Sequence, residues 1–235
     1  MDPYVIIVAG GNGLRSGSVI PKQFSDVGGK PLLLYSLEAF HMALPGARII
    51  LVLSPNHRLY WETILKDYPL GKTIELAEAG NHRFFSVQNG LAKVPENVMV
   101  GIHDAARPYV STELILKVFK EAETHGCCVP SLQPSESVRL IQNHDNYSID
   151  RSCVRLIQTP QVFHSTLLKK AYKKEYSECF TDDASVWESD GNKVYLSDGE
   201  VGYVKVTTPY DLRMAECLLS CQKGINLRSF STSES

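Results

Sequence analysis

Residues Tyr4–Val8 are apolar throughout and run without a break into VAGGNGLRSGSVIPKQ, residues 8–23. An apolar, β-branched run of this kind has no polar face to offer water, so it predicts a strand covered on both sides. The loop that follows carries few side chains where it leaves the strand. Glycines at 10, 11 and 13 open the backbone N–H groups to an incoming anion. Arg15 and Lys22 add two fixed positive charges, and Pro21 stiffens the backbone just before the lysine. Strand, bare turn and paired cations together point to a triphosphate site.

Two common glycine motifs do not fit this loop. The dinucleotide fingerprint needs a third glycine where Ser16 stands and an acidic residue after the second strand, but the run Ala47–Leu53 ends in Ser54-Pro55-Asn56. The other motif needs Gly-Lys-Ser/Thr to close the loop. Gly71-Lys72-Thr73 has Lys66 where that motif requires its upstream glycine.

Further along, apolar runs alternate with helical patterns. Strands are predicted at Tyr4–Val8, Arg48–Leu53, Ile74–Ala77, Val98–Ile102, Cys127–Ser131 and Val201–Val206. Helices are predicted at Leu32–Ala43, His57–Asp67, Phe84–Lys93 and Thr112–His125. This alternation is the signature of an α/β protein, a mostly parallel sheet with helices on both faces and ligands at the carboxyl ends of its strands. The stretch 133–158 breaks it: SVRLI (137–141) and VRLIQ (154–158) flank a polar segment and read as a two-stranded arm leaving the core. One domain is expected over residues 1–222, followed by a small, polar tail, 223–235, with the composition of a disordered segment.

Bulk properties remove several classes. With 24 Lys and Arg against 26 Asp and Glu, the net charge of −2 offers no basic excess for a nucleic-acid binder, so any anionic ligand must be met by locally placed cations. No apolar run approaches the length of a membrane span. Six cysteines occur without a C-x-x-C pair, which predicts reduced thiols and a cytoplasmic setting. The seven histidines show no metal-ligand spacing, so no structural zinc is expected.

Five later segments join the opening loop: AGNHRFFSVQNGL (79–91), HDAARP (103–108), QTPQVF (158–163), TDDAS (181–185) and KVTTPYDL (205–212). In this order and spacing the chain, from about residue 4 to about residue 220, resembles the 2-C-methyl-D-erythritol 4-phosphate cytidylyltransferases of the non-mevalonate isoprenoid pathway. The resemblance implies a Rossmann-like nucleotidyltransferase fold. It also implies transfer of CMP from CTP to a polyol phosphate with release of pyrophosphate, magnesium as cofactor, and a homodimer joined through the arm. Such chemistry sets one anion against another, so it calls for cations and strict positioning rather than a nucleophilic side chain.

Site residues follow from the same resemblance. Arg15, Lys22 and Lys205 would be the catalytic cations, and Ala9, Gly10, Gly11, Gly13, Gly80, Asn81, Ser86, Asp104 and Ala105 would bind the nucleotide. Asp104 would accept a ribose hydroxyl or orient magnesium. Arg107, Ser137, Arg151, Thr159, Thr181 and Lys205 would bind the acceptor, with Arg151 reaching across the dimer. Lys205, between Val204 and Val206 in the last predicted strand, is expected to be a buried lysine in need of an anionic partner. Arg83 reads equally as a ligand contact or as a structural bridge, and His103 as a packed strand-end histidine. One of Asp182 and Asp183 caps the following helix. Asn81 stands where the family carries an acid, Ser137 where it carries threonine, and Tyr203 where it carries asparagine. The rivals are a ribitol 5-phosphate cytidylyltransferase, against which TDDASVWE speaks, and a non-catalytic nucleotide-binding module.

Overall fold

In the computed structural model, residues 2–11, 21–68, 74–203 and 205–222 are described; Gly13, Arg15, Val204 and the expected tail lie outside them. Strand β1 (Tyr4–Ala9) turns Val5, Ile7 and Ala9 to one core and Ile6 to another, and none of the four is more than 3% exposed. A short hairpin of β2 (Asp26–Val27) and β3 (Lys30–Pro31) leads into α1 (Leu32–Ala43) and β4 (Arg48–Leu53). Then come α2 (Arg58–Asp67), β5 (Glu75–Glu78), α3 (Arg83–Leu91), β6 (Met99–Asp104), α4 (Thr112–His125) and β7 (Cys127–Leu132). An arm follows, β8 (Val138–Gln142) and β9 (Asp145–Ile149), before β10 (Leu156–Ile157) and β11 (Gln161–His164). The described chain ends with α5 (Ser165–Ala171), α6 (Asp183–Ser189), β12 (Leu196–Asp198) and α7 (Pro209–Gln222).

The main sheet runs β5-β4-β1-β6-β11-β7-β10, with β12 also on β7. Neighbours from β5 to β6 are parallel, while β11 lies antiparallel between β6 and β7. Helices α1, α2 and α4 cover one face through Leu33, Leu37, Phe40, Trp61 and Ile115, and α3, α5 and α6 cover the other through Phe84, Val87, Leu168 and Trp187. Both faces being covered is why the strands carry almost continuous apolar runs. The chain adds β4 and β5 on one side of β1, then crosses to add β6 on the other. Loops leaving β1 and β6 therefore diverge, and a crevice opens between them.

Helix ends follow local chemistry. Ser111 Oγ accepts from the Leu114 amide (2.9 Å) at the start of α4, and Gly126 ends it in the left-handed region at φ 80°. Asp182 accepts from the Ser185 amide (2.9 Å) in a reciprocal capping box on α6.

Two sequence expectations are corrected. The arm turns back earlier than predicted: β8 pairs with β9, and Leu156–Ile157 joins the main sheet beside β7. The signal is the pair Asn143 and His144, at φ 51° and 67°, which makes the two-residue turn that a right-twisted hairpin favours. Val201–Val206 is not a strand. Its described residues form turn and loop, with Gly202 at φ 82°, because Tyr203 and Val206 are buried singly in different clusters rather than along a ladder.

Gly126→Ala is expected to lower the unfolding free energy by about 1 kcal/mol, since alanine tolerates that φ poorly. Chemical denaturation reads this directly, and an unchanged midpoint would contradict the cap assignment.

Candidate active site

The crevice at the carboxyl ends of β1, β4, β5 and β6 is a cavity of about 650 Å³. Ala9, Gly10 and Gly11 form one wall, Ser54–Asn56 and Ala79–Arg83 another, and Asp104–Ala106 the third, with Lys22 and Lys205 at its rim. Two glycines are fixed by closeness: a Cβ on Gly10 would collide with Ala79 Cβ, and one on Gly80 with Phe85 Cβ. Gly11 has open space where its Cβ would be, so its backbone faces the cavity.

Behind the glycine wall lies a residue the sequence reading passed over. Gln23, 3% exposed, donates from Nε2 to the carbonyls of Ala9 (2.8 Å) and Gly11 (3.0 Å), and the same atom lies 3.2 Å from His57 Nδ1. It ties the exit of β1 to the turn before α2. Ser86 does similar work opposite, its Oγ accepting from the Gly80 amide (3.0 Å) and donating to the His82 carbonyl (3.1 Å). Asn81 and His82 are exposed at the mouth, where His82 stacks on Tyr176 with ring centres 4.6 Å apart.

Charge in the crevice centres on Asp104, the last residue of β6. Arg83 Nε donates to its Oδ1 (3.1 Å) and Lys205 Nζ to its Oδ2 (2.7 Å). Burial alone would raise this carboxyl, but Arg83, then Lys205, overturn that and hold it well below the usual carboxylate range. Arg83 also forks onto Asp183, with Nη1–Oδ1 at 2.9 Å and Nη2–Oδ2 at 2.7 Å. Burial disfavours the charged guanidinium, yet Asp183 and Asp104 more than reverse that and raise its pKa well above normal. Arg83 is thus a structural bridge that also lines the cavity.

Lys205 departs from its expectation as a buried strand lysine. Its side chain is 41% exposed in a loop, and its anionic partner is Asp104. That loop is pinned by side chains where a ladder would otherwise hold it. Gln158 pairs both ways with the backbone of Glu200, at 2.9 Å each, and Tyr203 Oη donates to the Thr159 carbonyl (2.8 Å). Lys22 Nζ donates to the Val206 carbonyl (3.1 Å), joining the first loop to the last.

The family model described as 2-C-methyl-D-erythritol 4-phosphate cytidylyltransferase matches residues 4–221. The chain belongs to this family. A relative of that description from Phocaeicola vulgatus is 44% identical over 93% of this chain and 100% of its own length. Another from Bacteroides fragilis is 44% identical over 91% of this chain and 98% of its own. Among solved structures, the 4-diphosphocytidyl-2C-methyl-D-erythritol synthase of Anaerococcus prevotii superposes with a TM-score of 0.80 at 27% identity, covering 93% of this chain and 98% of that one. The cytidylyltransferase of Thermus thermophilus gives 0.75 at 32% identity, covering 93% and 98%.

In this cytidylyltransferase-family chain Lys205 lines the cavity with the described residues named for the nucleotide, but the other residues named for the acceptor do not. Ser137, Arg151 and Thr181 are exposed and outside the cavity wall, with Arg151 bonded to the Ser135 carbonyl at the base of the arm. Thr159 is turned inward, its Oγ1 accepting from the Asp104 amide (3.3 Å) and lying 3.2 Å from His103 Nδ1. Arg107 reaches inward too, toward the carbonyls of Tyr203 (3.4 Å) and Ile157 (3.3 Å), and lies over the Tyr203 ring.

His103 is fully buried, and burial lowers its pKa to about 4 against the opposing pull of Asp104. Because the unfolded ring takes up a proton that the folded ring refuses, stability is complete above pH 6.5 and declines as pH falls from there to about 4. The loss should reach about 3 kcal/mol at most. Denaturation between pH 7.5 and 4.5 with a ring NMR titration checks this, and a midpoint near 6.5 would refute it.

Proposed function

We propose that this chain transfers CMP from CTP to 2-C-methyl-D-erythritol 4-phosphate, giving 4-diphosphocytidyl-2-C-methyl-D-erythritol and pyrophosphate in the non-mevalonate isoprenoid pathway. The observation that carries the reading is the crevice itself. A bare glycine wall faces a carboxylate held between two cations, with a further lysine at the rim, in a chain that belongs to the family over residues 4–221.

The balance of the reaction is simple. An oxygen of the acceptor phosphate attacks the α-phosphorus of CTP, the bond to the β-phosphate oxygen breaks, and pyrophosphate leaves with the charge. The attacking oxygen is already ionised, so no general base is needed. We assign the backbone at Ala9–Gly11 and Gly80 to the nucleotide, with Asn81 and Ser86 at the base. Ala105 and Asp104 lie at the ribose, where Asp104 accepts a hydroxyl. Lys22, with Gly13 and Arg15 of the same loop, stabilises charge on the triphosphate. Lys205 leaves Asp104 in part to meet the acceptor phosphate.

Magnesium would come to the crevice as part of the CTP substrate complex, supplying positive charge beside the phosphates. Asp104 is the carboxylate facing the crevice, two cations already hold it, and among the described residues no three His, Cys, Asp or Glu side chains gather to hold a metal. A single carboxylate fits an ion that the nucleotide would carry in, and Asp104 is the residue that would orient it.

The acceptor subsite is completed by a second copy of the chain. Supporting this, the arm is exposed along its length, with Leu140 and Tyr147 paired on one face at 49% and 51% exposure. Ser137, Arg151 and Thr181 are exposed and outside one chain's cavity wall, and we place Arg107 and Thr159 behind the acceptor as supports. A cytoplasmic setting is supported by free thiols at Cys127, Cys128, Cys153, Cys179 and Cys217, and no described helix is long and apolar enough to cross a membrane.

The test is pyrophosphate release from CTP and magnesium with methylerythritol phosphate or ribitol 5-phosphate as acceptor. Release with the former alone is expected; preference for ribitol phosphate would reassign the substrate, and CTP binding without release would leave a nucleotide-binding module. Lys22→Ala should lower kcat by roughly 10²–10³-fold with little change in the Kd for CTP. Near-normal turnover in the folded variant would refute the role.

A further inference from the structure

We propose that Asp183 is a positioning residue for the nucleotide: by accepting from both terminal nitrogens of Arg83, it anchors the guanidinium so that Nε meets Asp104 Oδ1 and Oδ2 is left to Lys205. This inference rests on the cytidylyltransferase reading above.

Two adjacent aspartates open α6, and helix capping accounts for one. Asp182 fills the cap, accepting from the Ser185 amide. Asp183 is fully buried, lies outside the cavity wall, and spends its carboxylate on Arg83 and on the Tyr172 hydroxyl, whose Oη donates to Oδ1 at 2.6 Å. A buried carboxylate with three such bonds is fully compensated, so the arrangement is rigid.

Geometry then constrains Arg83. A guanidinium offers its N–H groups in one planar fork and pairs most strongly when two of them meet both oxygens of one carboxylate. Asp183 takes the edge formed by the two terminal nitrogens and so fixes the plane of the guanidinium. The Nε side of the guanidinium faces Asp104, where Nε donates to Oδ1 at 3.1 Å. The second oxygen of Asp104 is met by Lys205, an exposed and movable cation that a ligand can replace. Without Asp183 the guanidinium would lose its anchor and could swing to put a fork on both Asp104 oxygens, withdrawing the acceptor that a ribose hydroxyl or a nucleotide-borne cation needs.

The proposal makes a prediction opposite in sign to simple charge counting. Asp183→Asn removes one negative charge near the crevice, which by charge alone would tighten binding of a triphosphate. Lost positioning instead weakens it.

The experiment uses the full chain and measures the Kd for CTP with magnesium by calorimetry, the kcat and both KM values, and the thermal midpoint. Asp183→Asn is expected to weaken CTP binding about tenfold or more and to lower kcat/KM for CTP to match. KM for the acceptor should move far less. Arg83→Lys keeps the charge and loses the fork, so it should give the same split, and the double variant should be no worse than the poorer single one. Equal or tighter CTP binding by folded Asp183→Asn would overturn the proposal, as would additive losses in the double variant. If Asp183→Asn does not fold, wild-type CTP binding by Arg83→Lys overturns it. Failure of the wild-type chain itself to bind CTP would instead refute the functional reading on which the inference stands.

Discussion

Asp104 is a carboxylate at 9% exposure, placed by β6 at the mouth of the sheet, and the crevice can exist only if its charge is met. Arg83 meets it from α3 and is itself met by Asp183 from α6. One ionic chain therefore connects a core strand with two helices on the same face of the sheet. Breaking a buried pair by removing one partner commonly costs about 3–5 kcal/mol, because the survivor is left uncompensated. The ends of α3 and β6 that carry Arg83 and Asp104 into the crevice are accordingly tied to each other and to α6.

The rest of the architecture delivers the ends of that chain to one place. Alternate residues of β1 and β4 fill two cores, which fixes register, and register fixes where each strand stops. β1 stops at Ala9 opposite Leu53 of β4, and Val8 lies opposite Asp104 of β6. Gln23 then secures the bare turn after β1, and Gln158 secures the loop carrying Lys205. Both glutamines do with side chains what a neighbouring strand would do with its backbone.

Much of the frame was legible in the sequence because burial on two faces leaves a continuous apolar run. Arg48–Leu53, Leu32–Ala43 and Thr112–His125 have the predicted limits. The reading went astray where burial is not periodic. Val201–Val206 supplies single residues to separate clusters, and the second strand of the arm, Asp145–Ile149, is mostly polar because its residues face outward. Short elements such as β11, β12 and α5 hold too few residues to show a period. At the site, Gly10, Gly11, Gly80, Lys22, Asp104 and Lys205 were visible as motif residues, and all six line one cavity. Gln23, His57 and the separate task of Asp183 were not, since each works by facing inward across a long sequence separation, which no local pattern encodes.

We propose that one crevice, between the loops leaving β1, β4, β5 and β6, receives the nucleotide. Hydrogen exchange with and without CTP and magnesium tests it most directly, because it reports backbone amides and requires no turnover. Slowed exchange is predicted at residues 8–11, 79–86 and 104–107. Slowing confined to other surfaces, such as the groove beside Phe24 and Tyr60, or no change at saturating CTP, would contradict the account.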